Sequence, residues 1–183
     1  RQMMARIGLY FGSFNPIHIG HLAIAGYMTE FTPLEQVWFV VSPHNPLKKK
    51  NSLLDDYQRL YMVQLAIGDN DHLKASDIEF RLPSPSYTID TLAYLREKNP
   101  AHEYSLVMGE DNLYTLHKWK NADALAENYH FSVYPRPYSP RPESALLTQL
   151  MEKARIHWVK APLMDISGTF IRSGIKKGKN MSY

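Results

Sequence analysis

Short apolar runs alternate with helix-like patterns along most of the chain. Apolar and β-branched runs bounded by turn residues predict buried strands, here at 7–11, 37–41, 73–80, 104–108, 131–134 and 156–159. Between these runs apolar residues recur with helical spacing, and we expect helices to begin near Ile19, Asp55, Thr88, Ser144 and Ser167, with short helices before Asn128. Repeated strand–helix units predict an α/β fold with a doubly wound, mostly parallel sheet, in one domain spanning residues 1–183.

The pattern also predicts details of three elements. The expected inner face of the first helix consists of Ile19, Leu22, Ala23 and Gly26. The helix near Thr88 is expected to be capped by Thr88 or Ser86 and to carry Ile89, Leu92 and Ala93 on one side. The proline-rich stretch 135–142 cannot form regular structure and is expected to be a surface loop.

Composition narrows the classes of function. The absence of cysteine excludes disulfides, thiol catalysis and cysteine-ligated metal centres. No apolar run approaches the roughly 20 residues of a membrane-spanning helix, so we expect a cytoplasmic protein without a membrane partner. The net charge of +3 is mildly basic, and the basic runs 48–50 and 172–179 fit either a solvated face or a polyanionic ligand.

The most informative segment is Gly12 to His21, with the sequence GSFNPIHIGH. It follows the first strand and opens the first helix, where backbone amides and the helix dipole favour an anion. The i, i+3 spacing of His18 and His21 should stack the two imidazoles on one face, where they can donate to phosphate oxygens and, when protonated, carry positive charge near neutral pH. Neither a Walker A loop nor a G-x-G-x-x-G fingerprint occurs. An incidental pair of surface histidines is the alternative, and a metal site would need a third ligand.

This segment resembles the nucleotidyltransferase signature G-[TS]-F-[DN]-P-x-H-x-G-H. Three further blocks resemble those of bacterial nicotinate mononucleotide adenylyltransferases. They are Pro85–Thr88 with Asp90–Leu92, Gly109–Asp111 with Trp119, and Ile166–Arg172. The blocks occur in the family's order and cover roughly residues 6–176.

The resemblance implies a Rossmann-like fold and adenylyl transfer from ATP to nicotinate mononucleotide, which gives nicotinate adenine dinucleotide and pyrophosphate. His18 and His21 would stabilise the transferred phosphoryl group. The other ATP- and phosphate-binding residues would be Gly12, Ser13, Phe14, Lys48, Ser167 and Arg172, the first three through backbone groups. Mg²⁺ is expected to bind through the ATP phosphates, without a dedicated protein cage.

The resemblance also implies a mononucleotide pocket made of Tyr87, Thr88, Gly109, Asp111 and Trp119. Trp119 would supply a flat face for the pyridine ring, and Thr88 with loop amides would bond the ring's carboxylate. Asp111 would accept from a ribose hydroxyl, or else simply begin a short helix.

Two departures from the family pattern concern the second loop and the chain ends. Leu47 stands where the family often has a histidine before the cation Lys48, and His44 is a candidate substitute. We expect residues 1–4 to include additions before the natural start. Only 11 residues follow Arg172, so either the chain is shortened or this branch is compact.

Other functions stay open. A sibling adenylyltransferase would act on nicotinamide mononucleotide or phosphopantetheine. A class I aminoacyl-tRNA synthetase would need a K-M-S-K-S loop and a tRNA-binding domain, which 183 residues do not accommodate, so no nucleic-acid partner is expected. A non-catalytic nucleotide-binding module is the third alternative, and the sequence does not indicate an oligomeric state.

Overall fold

A single parallel sheet organises the chain, of which the computed structural model describes residues 4–44 and 54–161. The strands in these residues are β1 (Arg6–Gly12), β2 (Gln36–Val41), β3 (Leu73–Ser76), β4 (Glu103–Gly109), β5 (His130–Tyr134) and β6 (Arg155–Trp158). Their order is β3-β2-β1-β4-β5-β6, and every neighbouring pair is parallel. The α/β class and the parallel sheet are therefore confirmed.

Helices cover both faces of this sheet. Within the described residues they are α1 (Ile19–Phe31), α2 (Asp56–Ile67), α3 (Thr88–Lys98), α4 (Glu110–Leu113), α5 (Ala122–Asn128) and α6 (Ala145–Lys153). Two short 3₁₀ turns, Ile78–Phe80 and Leu116–Lys118, lie between them. None of these helices is long and apolar enough to cross a membrane.

The alternation of side chains along β2 divides the core into two layers. Val37, Phe39 and Val41 pack with α1 and α2, whereas Trp38 and Val40 pack with residues of α3 to α6. A strand that is apolar on both faces belongs at the centre of a doubly covered parallel sheet. The apolar run at 37–41 is thus explained by burial from both sides.

The topology creates a crevice at one edge of the sheet. The chain runs from β1 out to β2 and β3, then returns to β4 on the other side of β1 before adding β5 and β6. All carboxyl ends meet at the same edge, and the connections after β1 and β4 diverge to opposite faces. Such switch points are where doubly wound sheets bind ligands. The segments after Gly12 and after Gly109 both lie there.

Two sequence expectations fail in the first half of the fold. β3 ends at Ser76, because a 3₁₀ turn starts at Ile78 and buries Glu79, so the predicted strand 73–80 is too long. The inner face of α1 is Gly20, Ile24, Ala25 and Met28, so the predicted face was wrong. α1 is apolar almost all round, so the sequence pattern alone does not distinguish the face that packs on the sheet.

The start of α3 also differs from its prediction. Tyr87 is the N-cap and makes no side-chain capping bond, while Thr88 is the first helical residue. Thr91 and Leu92 are buried whereas Ala93 is exposed. The helix turns this way because the Thr91 hydroxyl donates to the buried carboxylate of Glu79, at 2.8 Å. Residues 135–142, in contrast, form the expected irregular loop.

Candidate active site

Two histidines begin α1 directly beyond the carboxyl end of β1. His18 is the N-cap, with the extended backbone typical of that position, and His21 is the third helical residue. Their rings stack with centroids 3.7 Å apart and planes 24° apart. The i, i+3 spacing brings the imidazoles together as predicted.

A reciprocal capping box holds both rings. The Nδ1 atom of His18 accepts the amide of Gly20 at 3.1 Å, and the Nδ1 atom of His21 accepts the amide of His18 at 3.1 Å. A neutral imidazole that accepts at one nitrogen carries its proton on the other. Each ring is therefore an Nε2–H donor, and this donor points away from the helix backbone that Nδ1 contacts.

Burial favours the neutral form of both rings. The rings of Tyr10 and Phe14 lie edge-on to His21, with centroids 6.1 and 5.0 Å from its own. Burial lowers the pKa of His21 to about 3, and electrostatic repulsion from a protonated His18 and from Arg136 acts in the same direction. Burial, followed by Arg136, also lowers the pKa of His18. The lowered pKa values favour the neutral form of both rings, in which each imidazole donates a hydrogen bond without carrying charge.

The residues between β1 and the histidines support the pair. Phe14 is 3% exposed, with a φ of 48° that few non-glycine residues adopt, and its ring contacts His21. The Gly12 carbonyl accepts the first amide after β2 at 2.9 Å. The Ser13 carbonyl accepts from Arg59 at 2.6 Å. Phe14 thus acts through its side chain as a packing residue, and phosphate contacts by these three backbones stay predictions.

Arg59 of α2 holds the loop after β1 in place through hydrogen bonds. Its side chain is fully buried, and its guanidinium donates to the carbonyls of Ser13, Ser42 and Leu54 at 2.6, 2.8 and 3.0 Å. It also pairs with the carboxylate of Asp56. One side chain therefore ties the loops after β1 and β2 to the start of α2.

A second cation lies beyond the end of β5. The Arg136 Nε atom is 4.0 Å from Oδ1 of Asp111, and its backbone amide donates to Glu110 at 3.0 Å. Gly109 ends β4 beside them, and a Cβ there would lie 2.6 Å from the Asp111 carboxylate and 2.8 Å from Arg136 Cγ. Gly109 therefore leaves room for the Asp111 and Arg136 side chains to approach, and Asp111 lies in the first turn of α4 facing a cation.

A phenol pair lies under the site. The hydroxyl groups of Tyr10 and Tyr134 are 2.9 Å apart, and both side chains are buried. Burial raises the pKa of both phenols, so both stay protonated. This bond joins β1 to β5 across β4, beneath the ring of His21.

Two residues of the predicted pyridine pocket, Tyr87 and Thr88, lie at the start of α3, and Lys120 connects the segment of Trp119 to it. Tyr87, the N-cap, is 44% exposed, and Thr88 follows it. Trp119 is half-buried, and its Nε1 atom donates to the Thr115 hydroxyl at 2.9 Å. The ammonium of Lys120 lies 4.8 Å from the centre of the Tyr87 ring. The segment carrying Trp119 is thus held against the start of α3.

Comparison with known proteins agrees with this arrangement. Residues 9–174 match the family model described as cytidylyltransferase-like. A Flavobacterium johnsoniae protein named a probable nicotinate-nucleotide adenylyltransferase is 58% identical over 176 residues, which are 96% of this chain and 89% of that protein. The chain belongs to the nicotinate-nucleotide adenylyltransferases of the cytidylyltransferase-like family. A relative of the same name from Bacteroides fragilis is 42% identical over 178 residues, which are 97% of this chain and 86% of that protein.

The fold is shared with a solved member of the family. The Plasmodium falciparum nicotinic acid mononucleotide adenylyltransferase complexed with NaAD gives a TM-score of 0.75 at 18% identity, covering 96% of this chain and 86% of that one. At that identity the likeness shows the Rossmann-like nucleotidyltransferase fold alone.

Several predicted phosphate-binding residues are outside the described part of the structure. Lys48, Ser167 and Arg172 lie there, as does Leu47, and their roles stay predictions. His44 is described, and its backbone amide donates to Asp56 at 3.0 Å. That contact places His44 beside the start of α2.

Three residues of the site escaped the sequence analysis. Arg136 lies in a proline-rich loop that was interpreted only as irregular surface, although its position just after a strand at the ligand-binding edge was a usable signal. Arg59 interrupts the inner face of α2 next to Leu60, which marks it as a buried arginine. Lys120 carried no signal beyond following Trp119, because its partners come from another helix.

Proposed function

We propose that this enzyme transfers the adenylyl group of ATP to nicotinate mononucleotide, releasing pyrophosphate, a step of NAD biosynthesis. Family membership supports the chemistry. The observation that carries the proposal is the stacked imidazole pair at the start of α1, at the switch point of the sheet. Two aligned donors at a helix N-terminus suit a phosphate group.

The reaction proposed is a direct displacement. An oxygen of the mononucleotide phosphate attacks the α-phosphorus of ATP, a new P–O bond forms, and the bond to the bridging oxygen breaks as pyrophosphate leaves. No covalent enzyme intermediate is needed. Catalysis then depends on positioning and on stabilising charge at the phosphoryl oxygens.

The neutral histidine pair fits that demand. The Nε2–H groups of His18 and His21 would donate to oxygens of the transferred group, while the capping box prevents the rings from turning. Arg136, whose positive charge lowers the pKa of both rings, would attract the phosphates. Donors that are already oriented cost no reorganisation when charge develops.

Mg²⁺ would accompany ATP. The donors at the site are imidazole and guanidinium nitrogens, which suit phosphate oxygens, whereas Mg²⁺ prefers oxygen ligands. Phosphate oxygens would therefore hold the ion, which would neutralise the triphosphate when bound. The chain's own contribution is to bind and orient the phosphates.

The pyridine end would be formed by Tyr87, Thr88, Asp111 and Trp119. The N-terminus of α3 presents backbone amides and the positive end of a helix dipole, which favours the carboxylate of nicotinate over an uncharged amide. Trp119 would offer its ring for stacking, and Asp111 would accept from a ribose hydroxyl. A cytoplasmic location stays a prediction.

Pyrophosphate release tests this proposal. Purified protein with ATP and Mg²⁺ is expected to release pyrophosphate when nicotinate mononucleotide is added, with the dinucleotide appearing in equal amount by chromatography. Nicotinamide mononucleotide and phosphopantetheine serve as parallel acceptors. Equal or faster turnover of either would contradict the proposed substrate, and nucleotide binding without pyrophosphate release would favour a non-catalytic module.

A further inference from the structure

Lys120 joins the two segments of the candidate pyridine pocket. Its ammonium lies 3.0 Å from Oδ2 of Asp90, in the first turn of α3, and 4.8 Å from the centre of the Tyr87 ring. Lys120 directly follows Trp119 in the chain. A single positive charge therefore stands between the proposed stacking residue and the start of α3.

This contact contributes little to the stability of the fold. The Lys120 and Asp90 side chains are 46% and 53% exposed, and exposed ion pairs stabilise a fold only slightly. The cation–π contact with Tyr87, itself 44% exposed, adds a term of similar size. Because the Lys120 ammonium contributes little to folding, we expect its charge to act mainly on a ligand bound in the neighbouring pocket.

The two pyridine mononucleotides differ in charge at one group. Nicotinate carries a carboxylate where nicotinamide carries a neutral amide, on otherwise the same ring. The positive end of the α3 dipole and the Lys120 ammonium both attract the carboxylate, while Asp90 repels it. Selection between the two ligands should therefore respond to Lys120 and Asp90 in opposite directions.

We propose that Lys120 is a specificity-determining residue, whose charge favours the carboxylate form of the pyridine mononucleotide over the carboxamide form. This inference rests on the proposed function. It adds a side-chain charge to the preference provided by the backbone amides of α3.

The test is the ratio of kcat/KM for nicotinate mononucleotide to that for nicotinamide mononucleotide. Lys120→Met should lower this ratio about fivefold, mainly by raising KM for the nicotinate form, as expected for one exposed charge near the ligand. Lys120→Arg should keep the ratio, and Asp90→Asn should raise it. Lys118→Met, in the same segment and also exposed, is the matched control and should leave the ratio unchanged.

A calorimetric titration of each variant with nicotinate mononucleotide provides a readout independent of turnover. Weaker binding by Lys120→Met alone supports the inference. An unchanged ratio in that variant, or parallel loss of both substrates at a constant ratio, would overturn it and leave the proposed function intact. Failure of the unmodified protein to use either mononucleotide would instead overturn both.

Discussion

The two ends of the candidate site are built in different ways. At the phosphate end, His21 packs against the buried rings of Tyr10 and Phe14, and main-chain amides fix both imidazoles. At the pyridine end, the contact between Lys120 and Asp90 joins side chains that are about half exposed. The histidines of the first end are partly buried and pack against the core, whereas the side chains of the second end lie on the surface.

This difference indicates how each end contributes to the reaction. Donors held by buried packing are oriented before substrate arrives, so they should act on the chemical step. Exposed side chains with weak mutual contacts can adjust to a ligand, so they should act on its binding and selection. Substitutions at the phosphate end should therefore change kcat, and those at the pyridine end should change KM.

The largest expected effect follows from removing either imidazole. His18→Ala and His21→Ala should each lower kcat about 10²–10³-fold with a small change in KM for ATP, because one preorganised donor is lost. Steady-state pyrophosphate release measures this, with circular dichroism to check folding. His130→Ala is the control, since His130 is exposed at the first residue of β5, away from the carboxyl edge. Activity within about threefold of the unmodified protein would contradict the role.

Next in size is the loss of the buried guanidinium under the phosphate end. Arg59→Met should lower the free energy of unfolding by roughly 2–3 kcal/mol, because buried carbonyls lose their donor. Urea unfolding followed by fluorescence measures it. Arg81→Met is the matched control, because Arg81 is 60% exposed and pairs only with Asp77 among its recorded partners. Equal effects of the two substitutions would show that the loop before the histidines is not anchored from α2.

A smaller effect is expected in the pH dependence of stability. The pKa of His21 is about 3 in the folded protein, whereas an unperturbed histidine has a pKa of about 6.5. Between these values the unfolded chain binds a proton that the folded chain does not, so stability falls as pH drops from about 6.5 towards 3. Above that window His21 contributes nothing to the pH dependence.

His21→Gln isolates this contribution, because glutamine can still accept in a capping box but does not titrate. Between about pH 7 and pH 5, the variant should lose roughly 1–2 kcal/mol less stability than the unmodified protein. Urea unfolding at both pH values decides the point. Identical losses would mean that the His21 ring is solvated rather than enclosed.

The smallest effect concerns stacking at the pyridine end. Trp119→Ala should raise KM for nicotinate mononucleotide about fivefold and leave kcat nearly unchanged, since an aromatic stack contributes about 1 kcal/mol. Trp158→Ala is the control, because Trp158 is 47% exposed on β6. If kcat fell instead while KM stayed constant, the proposed division between the two ends would be wrong.

The sequence was most informative where structure depends on near neighbours. The apolar run at 37–41 predicts a strand that is buried on both faces. The spacing of His18 and His21 is enough to predict that their rings come together. The inner face of α1 could not be predicted, because a helix that is apolar almost all round has no unique face until it meets a sheet. Likewise, β3 stops at Ser76 because the Glu79 carboxylate is buried against Thr91 of a distant helix.

The candidate site also combines features that near neighbours determine with features that distant segments determine. The capping box is local and could have been anticipated from two histidines at the start of a helix. The low pKa of His21 depends on Tyr10 and Phe14 closing around it, which spacing alone does not reveal. Arg136 and Lys120 reach the site from segments far along the chain, so only the assembled fold places them.

The account depends above all on a neutral, Nε2-protonated imidazole pair that meets the transferred phosphate. Ring ¹⁵N spectra of the histidines, recorded from about pH 5 to pH 8 with and without the dinucleotide product, test this directly. We predict that Nδ1 of His21 stays unprotonated throughout and that the Nε2 signals of both rings shift when the product binds. Titration of the His21 ring near its ordinary pKa would contradict the account, as would Nε2 chemical shifts that stay unchanged when the product binds.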